Sequence, residues 1–385
     1  MASGLVHRFA STCEVSLVLV ALQAWVATAS AQTARDRDWC FSRGAGDGQT
    51  ILGCTSIIKW IHSPPHDRSV AHFNRGMAYT KRRDYDRAIA DFDETLRLDP
   101  KHVAAFINRG VAYRNKGDVA RAIADYDEAI KLDPTQAVTF ANRGNAHRVK
   151  GDLDRAIADY DQAILLEAGN VGAIYNRGLC YFGKNDYDRA IADFDTVSLL
   201  NPLDPNAVLA RGLAYSAKQQ LDRAIADFDY AVRLDPNLSA AFFNRGLAHL
   251  AKRSYERAIA DFDKTIAIDP RAIHAYASRC EARTITGALS AALADCTEAV
   301  DRRPTESTHR AARGITYLKI GDLDRAGADF AAALQASPNV AVGLFGQGLV
   351  KRQSGDTPGG DADLTAARAR DPKIDERFAT FGIKP

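Results

Sequence analysis

The octapeptide DRAIADFD occupies residues 86–93, and near-copies begin at Ala120, Asp154, Asp188, Asp222 and Glu256. Worn versions follow at Ser290 (SAALADCT) and Asp324 (DRAGADFA), so every copy starts 34 residues after the one before. A site of chemistry is needed once, whereas a unit of architecture is needed many times. A fixed period of this size belongs to a stack of supersecondary units, each touching only its neighbours.

Residues 103–136, VAAFINRGVAYRNKGDVARAIADYDEAIKLDPTQ, show what one unit contains. Phe106, Gly110 and Tyr113 fall at helical spacing, and Gly117-Asp118 interrupts it. Ala122, Ile123, Tyr126, Ala129 and Ile130 then resume it as far as Pro134. The spacing predicts two antiparallel helices joined by a short turn. In the octapeptide this places Ala88 and Phe92 against the partner helix. Asp91 and Asp93 lie about 200° apart around a helix and cannot chelate one ion. They are expected to be solvated or to pair with arginines, and Arg87 and Asp91, at i,i+4, would contribute only about 0.2–0.5 kcal/mol.

Counted from Val103, the unit has Gly110 at position 8, Tyr113 at 11, Ala122 at 20, Tyr126 at 24, Ala129 at 27 and Pro134 at 32. This pattern resembles the tetratricopeptide repeat, and the likeness runs through nine registers from Ser69 to Ile374. The resemblance implies an all-α fold, a right-handed α-solenoid of stacked antiparallel helix pairs. One departure stands out. Position 7, usually leucine in that family, is Arg75, Arg109, Arg143, Arg177, Arg211, Arg245, Arg279 and Arg313 in eight registers. A column of pairs between these arginines and second-helix aspartates is expected.

The ends differ from the array. Residues 15–27, VSLVLVALQAWVA, are apolar and precede Ala29-Ser30-Ala31, a small-x-small cleavage signal. Residues 1–31 therefore read as a secretory signal peptide and imply a periplasmic or secreted protein. Residues 32–68 read as a degenerate capping repeat and linker, residues 69–374 as the tandem array, and residues 375–385 as a C-terminal capping tail. A net charge of +2 favours neither nucleic acid nor an anionic membrane.

Cys280 stands at position 8 and Cys296 at position 24, which face each other across the helix pair. In an exported chain they are expected to form a disulfide. Cys54 and Cys40, which lies 14 residues before it, occupy the matching places in the first segment and form the second expected pair. Cys180 replaces a position-10 alanine and reads as a buried free thiol. His62 and His66 are four apart, but Pro64 and Pro65 between them oppose a helix, so no metal site is expected there. No Gly-rich phosphate loop, GxSxG or HExxH occurs, so no catalytic residues, metal or cofactor are assigned.

In the resembled family the first helix lines a groove that holds ligand. Position 6 is Asn74, Asn108, Asn142, Asn176 and Asn244 in five registers. A carboxamide donates and accepts, and so satisfies a peptide unit whatever side chain that unit carries. Phe73, Ile107 and Tyr175 at position 5 would add apolar contacts, and Arg114 and Arg148 at position 12 would attract acidic ones. The expected function is a non-catalytic scaffold holding an extended protein or peptide segment. Alternatives are that the asparagines only brace adjacent helices, that the chain is a structural or self-assembling solenoid, and that it is an unrecognised enzyme, which would need a cluster of ionisable groups outside the repeat pattern.

Overall fold

The computed structural model describes residues 33–42, 44–60 and 62–384; the expected signal peptide and its cleavage site lie outside them. The described residues contain helices and no strand. The chain divides into two compact units, one ending at Lys184 and the other beginning at Asn185.

The first unit holds α1 (33–41), α2 (Asp47–Lys59), α3 (Pro65–Lys81), α4 (Tyr85–Leu98), α5 (Val103–Asn115), α6 (Val119–Leu132), α7 (Ala137–Lys150), α8 (Leu153–Leu166) and α9 (Val171–Gly183). The second opens with α10 (Tyr187–Leu200). Helix pairs follow: α11 (Pro205–Ala217) with α12 (Leu221–Leu234), and α13 (Ser239–Ala251) with α14 (Tyr255–Ile268). Next come α15 (Ile273–Thr286) with α16 (Leu289–Arg302), α17 (Ser307–Ile320) with α18 (Leu323–Ala336), and α19 (Ala341–Gln353) with α20 (Thr357–Arg370). The short α21 (Ile374–Thr380) is last.

Local chemistry sets the helix ends. Asp118 caps α6 by accepting from the Arg121 amide, and Gly117 makes the preceding turn in the left-handed region, at φ 88°. Arg83 takes the same left-handed conformation at φ 61° without a glycine's freedom. The sequence expectation that Pro65 and His66 lie outside the helices is corrected here. Pro65 is the first residue of α3, where its missing amide hydrogen is not needed, and His66 follows inside the helix.

Packing follows from the small residues. A Cβ on Gly110 would stand 2.7 Å from the Tyr126 ring, so only glycine lets α5 settle on that fully buried aromatic. Cys280 and Cys296 replace such a glycine–aromatic pair. Within each unit the first helices of neighbouring repeats also touch one another, as α3 does α5 and α13 does α15. Among the described residues, second helices show no comparable contact, so the first helices line the inner side of each unit. At the far end of the second unit, α21 packs on α19 and α20. There Phe378 meets Phe345 with ring centres 4.5 Å apart, and Ile374, Phe378 and Phe381 are buried.

Candidate functional site, the inner face of the first helices

The paired aspartates of the octapeptide are structural. Arg109 holds Asp125 of its own repeat through Nε (2.9 Å) and Nη2 (2.6 Å), and gives Nη1 to Asp93 of the preceding repeat (2.6 Å). Arg143 does the same with Asp159 and Asp127, and Arg245 with Asp261 and Asp229. In the close copies one aspartate thus closes its own helix pair and the other ties in the next repeat, whereas the worn copies keep only the first, Asp295 and Asp329. At the N-terminal end Thr55 takes the place of the second aspartate and accepts from Arg75 Nη1 at 2.9 Å.

Burial raises the Asp91 carboxyl, but hydrogen bonds from Arg75 and His72 outweigh it and hold the group below the usual carboxylate range. Side-chain bonding to its two aspartates holds Arg143 charged. The expected Arg87–Asp91 pair does not form, because Arg87 turns back to its helix cap, Asp84, while Asp91 is taken by Arg75. With their carboxylates engaged by guanidinium groups, these aspartates are poor general bases and poor metal ligands.

The asparagines are all half-buried on the first helices. Asn108 donates to Ala104 O (2.8 Å), Asn176 to Gly172 O (2.9 Å) and Asn244 to Ala240 O (2.7 Å), each within its own helix. Asn74 instead donates to Cys40 O of α1 at 2.9 Å. Bracing between helices is therefore seen at Asn74 and not at Asn108, Asn176 or Asn244. Asn142 has no hydrogen-bond partner among the described residues.

Of the neighbouring columns, Phe73 and Tyr175 are half-buried, as are Arg114 and Arg148. Ile107 is corrected: it is 8% exposed and belongs to the core around Tyr126, because its side chain points into the stack instead of the groove.

At the N-terminal end of the first unit the inner face deepens into a cavity of about 310 Å³. Phe73, Asn74, Met77 and Lys81 form one wall, and Phe41 and Ser42 part of the other. The first wall was legible from the repeat register. The second comes from the end of α1, the turn after it and the start of α2, which lie outside the regular array. Beside this cavity Cys40 and Cys54 stand at disulfide distance, with Cα atoms 4.6 Å apart. Cys280 and Cys296 do so in the second unit, at 5.4 Å. Cys180 is free and buried.

A family model described as tetratricopeptide repeat matches residues 73–137, 142–207, 175–239, 209–273 and 286–341, together well over half of the chain. Among solved structures, a tetratricopeptide repeat protein from Parabacteroides merdae is 23% identical, with a TM-score of 0.51, over 64% of this chain and 98% of its own. YrrB, described as a TPR protein with an unusual peptide-binding site, is 25% identical over 48% of this chain and 95% of its own, with a TM-score of 0.42. The MamA protein is 26% identical over 44% and 93%, also with a TM-score of 0.42. No curated protein matches.

Proposed function

Since the chain belongs to the tetratricopeptide repeat family, whose fold serves protein–protein interaction, we propose that it is a non-catalytic scaffold of the periplasm or cell envelope. In this reading an extended polypeptide segment lies along the inner face of the first helices. The carrying observation is the cavity walled by Phe73, Asn74, Met77 and Lys81, where an amide, two apolar side chains and a cation converge on the inner face. Asn108 and Asn142 continue that face with half-exposed carboxamides that do not hold neighbouring first helices together. The cysteine pairs at disulfide distance favour an oxidising compartment, in keeping with the N-terminal apolar run. α21 covers the apolar faces of α19 and α20, which favours this reading over self-assembly through those faces.

The reading is tested by placing a photo-crosslinking amino acid at Met77 on the inner face, and at Glu94 on an exposed second-helix surface, in cells expressing the full chain. Discrete adducts from Met77 that are absent from Glu94 are expected. The same adducts from both positions, or none from either, would contradict inner-face binding.

A further inference from the structure

Position 9 of the first helix is apolar in most repeats, as at Val111, Leu213 and Ile315, but in α15 it is Glu281. The Glu281 carboxylate makes no hydrogen bond or ion pair with any described residue. It lines a cavity of about 110 Å³ with Thr308, Ile315, Val342, Arg377 and Phe381. The walls therefore come from the first helices of the last three repeats and from the C-terminal segment. Burial pushes the Glu281 carboxyl above the usual carboxylate range, against the opposing pull of the Arg377 charge. Arg377 stands on the wall without joining Glu281 in an ion pair.

Glu281 is half-buried, and its unpartnered carboxylate keeps only part of its hydration, so a cation that enters the pocket offsets that loss. The cavity is too small for an organic cofactor or a nucleotide, which need about 300 Å³ or more. Its apolar walls suit a hydrocarbon stem, and its acidic end suits a compact charge. We propose that the pocket receives a lysine side chain of the bound polypeptide, with the stem against Ile315, Val342 and Phe381 and the ammonium on Glu281. The Thr308 hydroxyl, which donates to Glu306 at 3.2 Å, keeps lone pairs to accept a second ammonium hydrogen. Lysine fits better than arginine, whose broad planar fork needs a wider, bidentate site. The inference rests on the reading of the inner face as a polypeptide-binding surface and names one side chain that the surface selects.

The test uses N-acetyl-lysine methylamide and its uncharged norleucine counterpart, titrated into the full chain while the Ile315 and Val342 methyl resonances are followed by NMR. The lysine probe is expected to shift both resonances saturably, and the norleucine probe to bind at least tenfold more weakly. Glu281→Gln, close to isosteric, should weaken the lysine probe at least tenfold while the Val208 methyl keeps its position as a marker of the fold. Arg377→Ala removes a competing cation and should tighten it. Equal binding of the two probes, an unchanged Kd in Glu281→Gln, or no tightening in Arg377→Ala would overturn the assignment. Failure here with Met77 adducts intact removes the lysine pocket alone, whereas lysine-probe binding without inner-face adducts removes the groove reading alone.

Discussion

Arg109 grips Asp125 through two parallel hydrogen bonds across the α5–α6 pair, and its third nitrogen reaches back to Asp93. Asp125 is nearly buried, so the guanidinium supplies the charge and the donors that water would otherwise provide. Arg109→Leu restores the residue usual at this position in the family but leaves Asp125 alone. It is expected to lower unfolding stability by about 3 kcal/mol. The double variant Arg109→Leu/Asp125→Leu should recover most of the loss. Urea denaturation of the three proteins checks this, and a single variant within about 0.5 kcal/mol of the parent would show that the pair is dispensable.

As disulfides, the two cysteine pairs would close short loops, with cysteines 14 and 16 residues apart, and each is expected to stabilise its own repeat by about 3 kcal/mol. Peptide mapping of the unreduced native protein should recover Cys40 linked to Cys54 and Cys280 linked to Cys296. Cys180, buried and with its thiol pushed up to about 11, should alkylate only after unfolding. Native alkylation of any of the four paired cysteines would reject that bridge.

Two repeats carry His147 and His249 where five others have tyrosine. Burial holds both imidazoles below the usual histidine value, and Asp159 and Asp261, about 4 Å away, only partly oppose it. With folded values below the unfolded value of about 6.5, the unfolded chain binds the extra protons first. Their contribution is complete above about pH 6.5 and is lost as pH falls through the folded values. Tyr113 at the same position stacks under Arg121, with 4.5 Å from guanidinium carbon to ring centre. The variant His147→Tyr/His249→Tyr should therefore show a flatter fall in melting temperature between pH 7 and 5 than the parent. Parallel curves would rule out this source of acid sensitivity.

The octapeptide made the helix pairs, their turns and the arginine–aspartate column legible, because one period repeated eight times leaves little freedom in register. It did not reveal that Asp91 and Asp93 serve different repeats, since a partner 16 residues away in either direction follows from stacking geometry and not from spacing along one helix. The inner face was only partly legible. Helical spacing put Ile107 and Phe73 in one column, yet one is core and the other lines a cavity. The difference is whether a neighbouring helix covers the side chain. Glu281 was visible as the one acid in the position-9 column, but its lack of a partner required the structure.

The central claim is that the asparagine column contacts a bound chain. Asn108 bonds its own helix and Asn142 has no partner among the described residues, so Asn108→Ala/Asn142→Ala should leave the melting temperature nearly unchanged. Each lost hydrogen bond to a peptide unit removes about 0.5–1.5 kcal/mol. The direct measurement is the Kd of this double variant for the polypeptide crosslinked at Met77. The account expects binding weakened about tenfold or more, on the order of 1.4 kcal/mol, by a protein that folds as the parent does. A variant that loses stability while its folded fraction binds with the parent's Kd would contradict it.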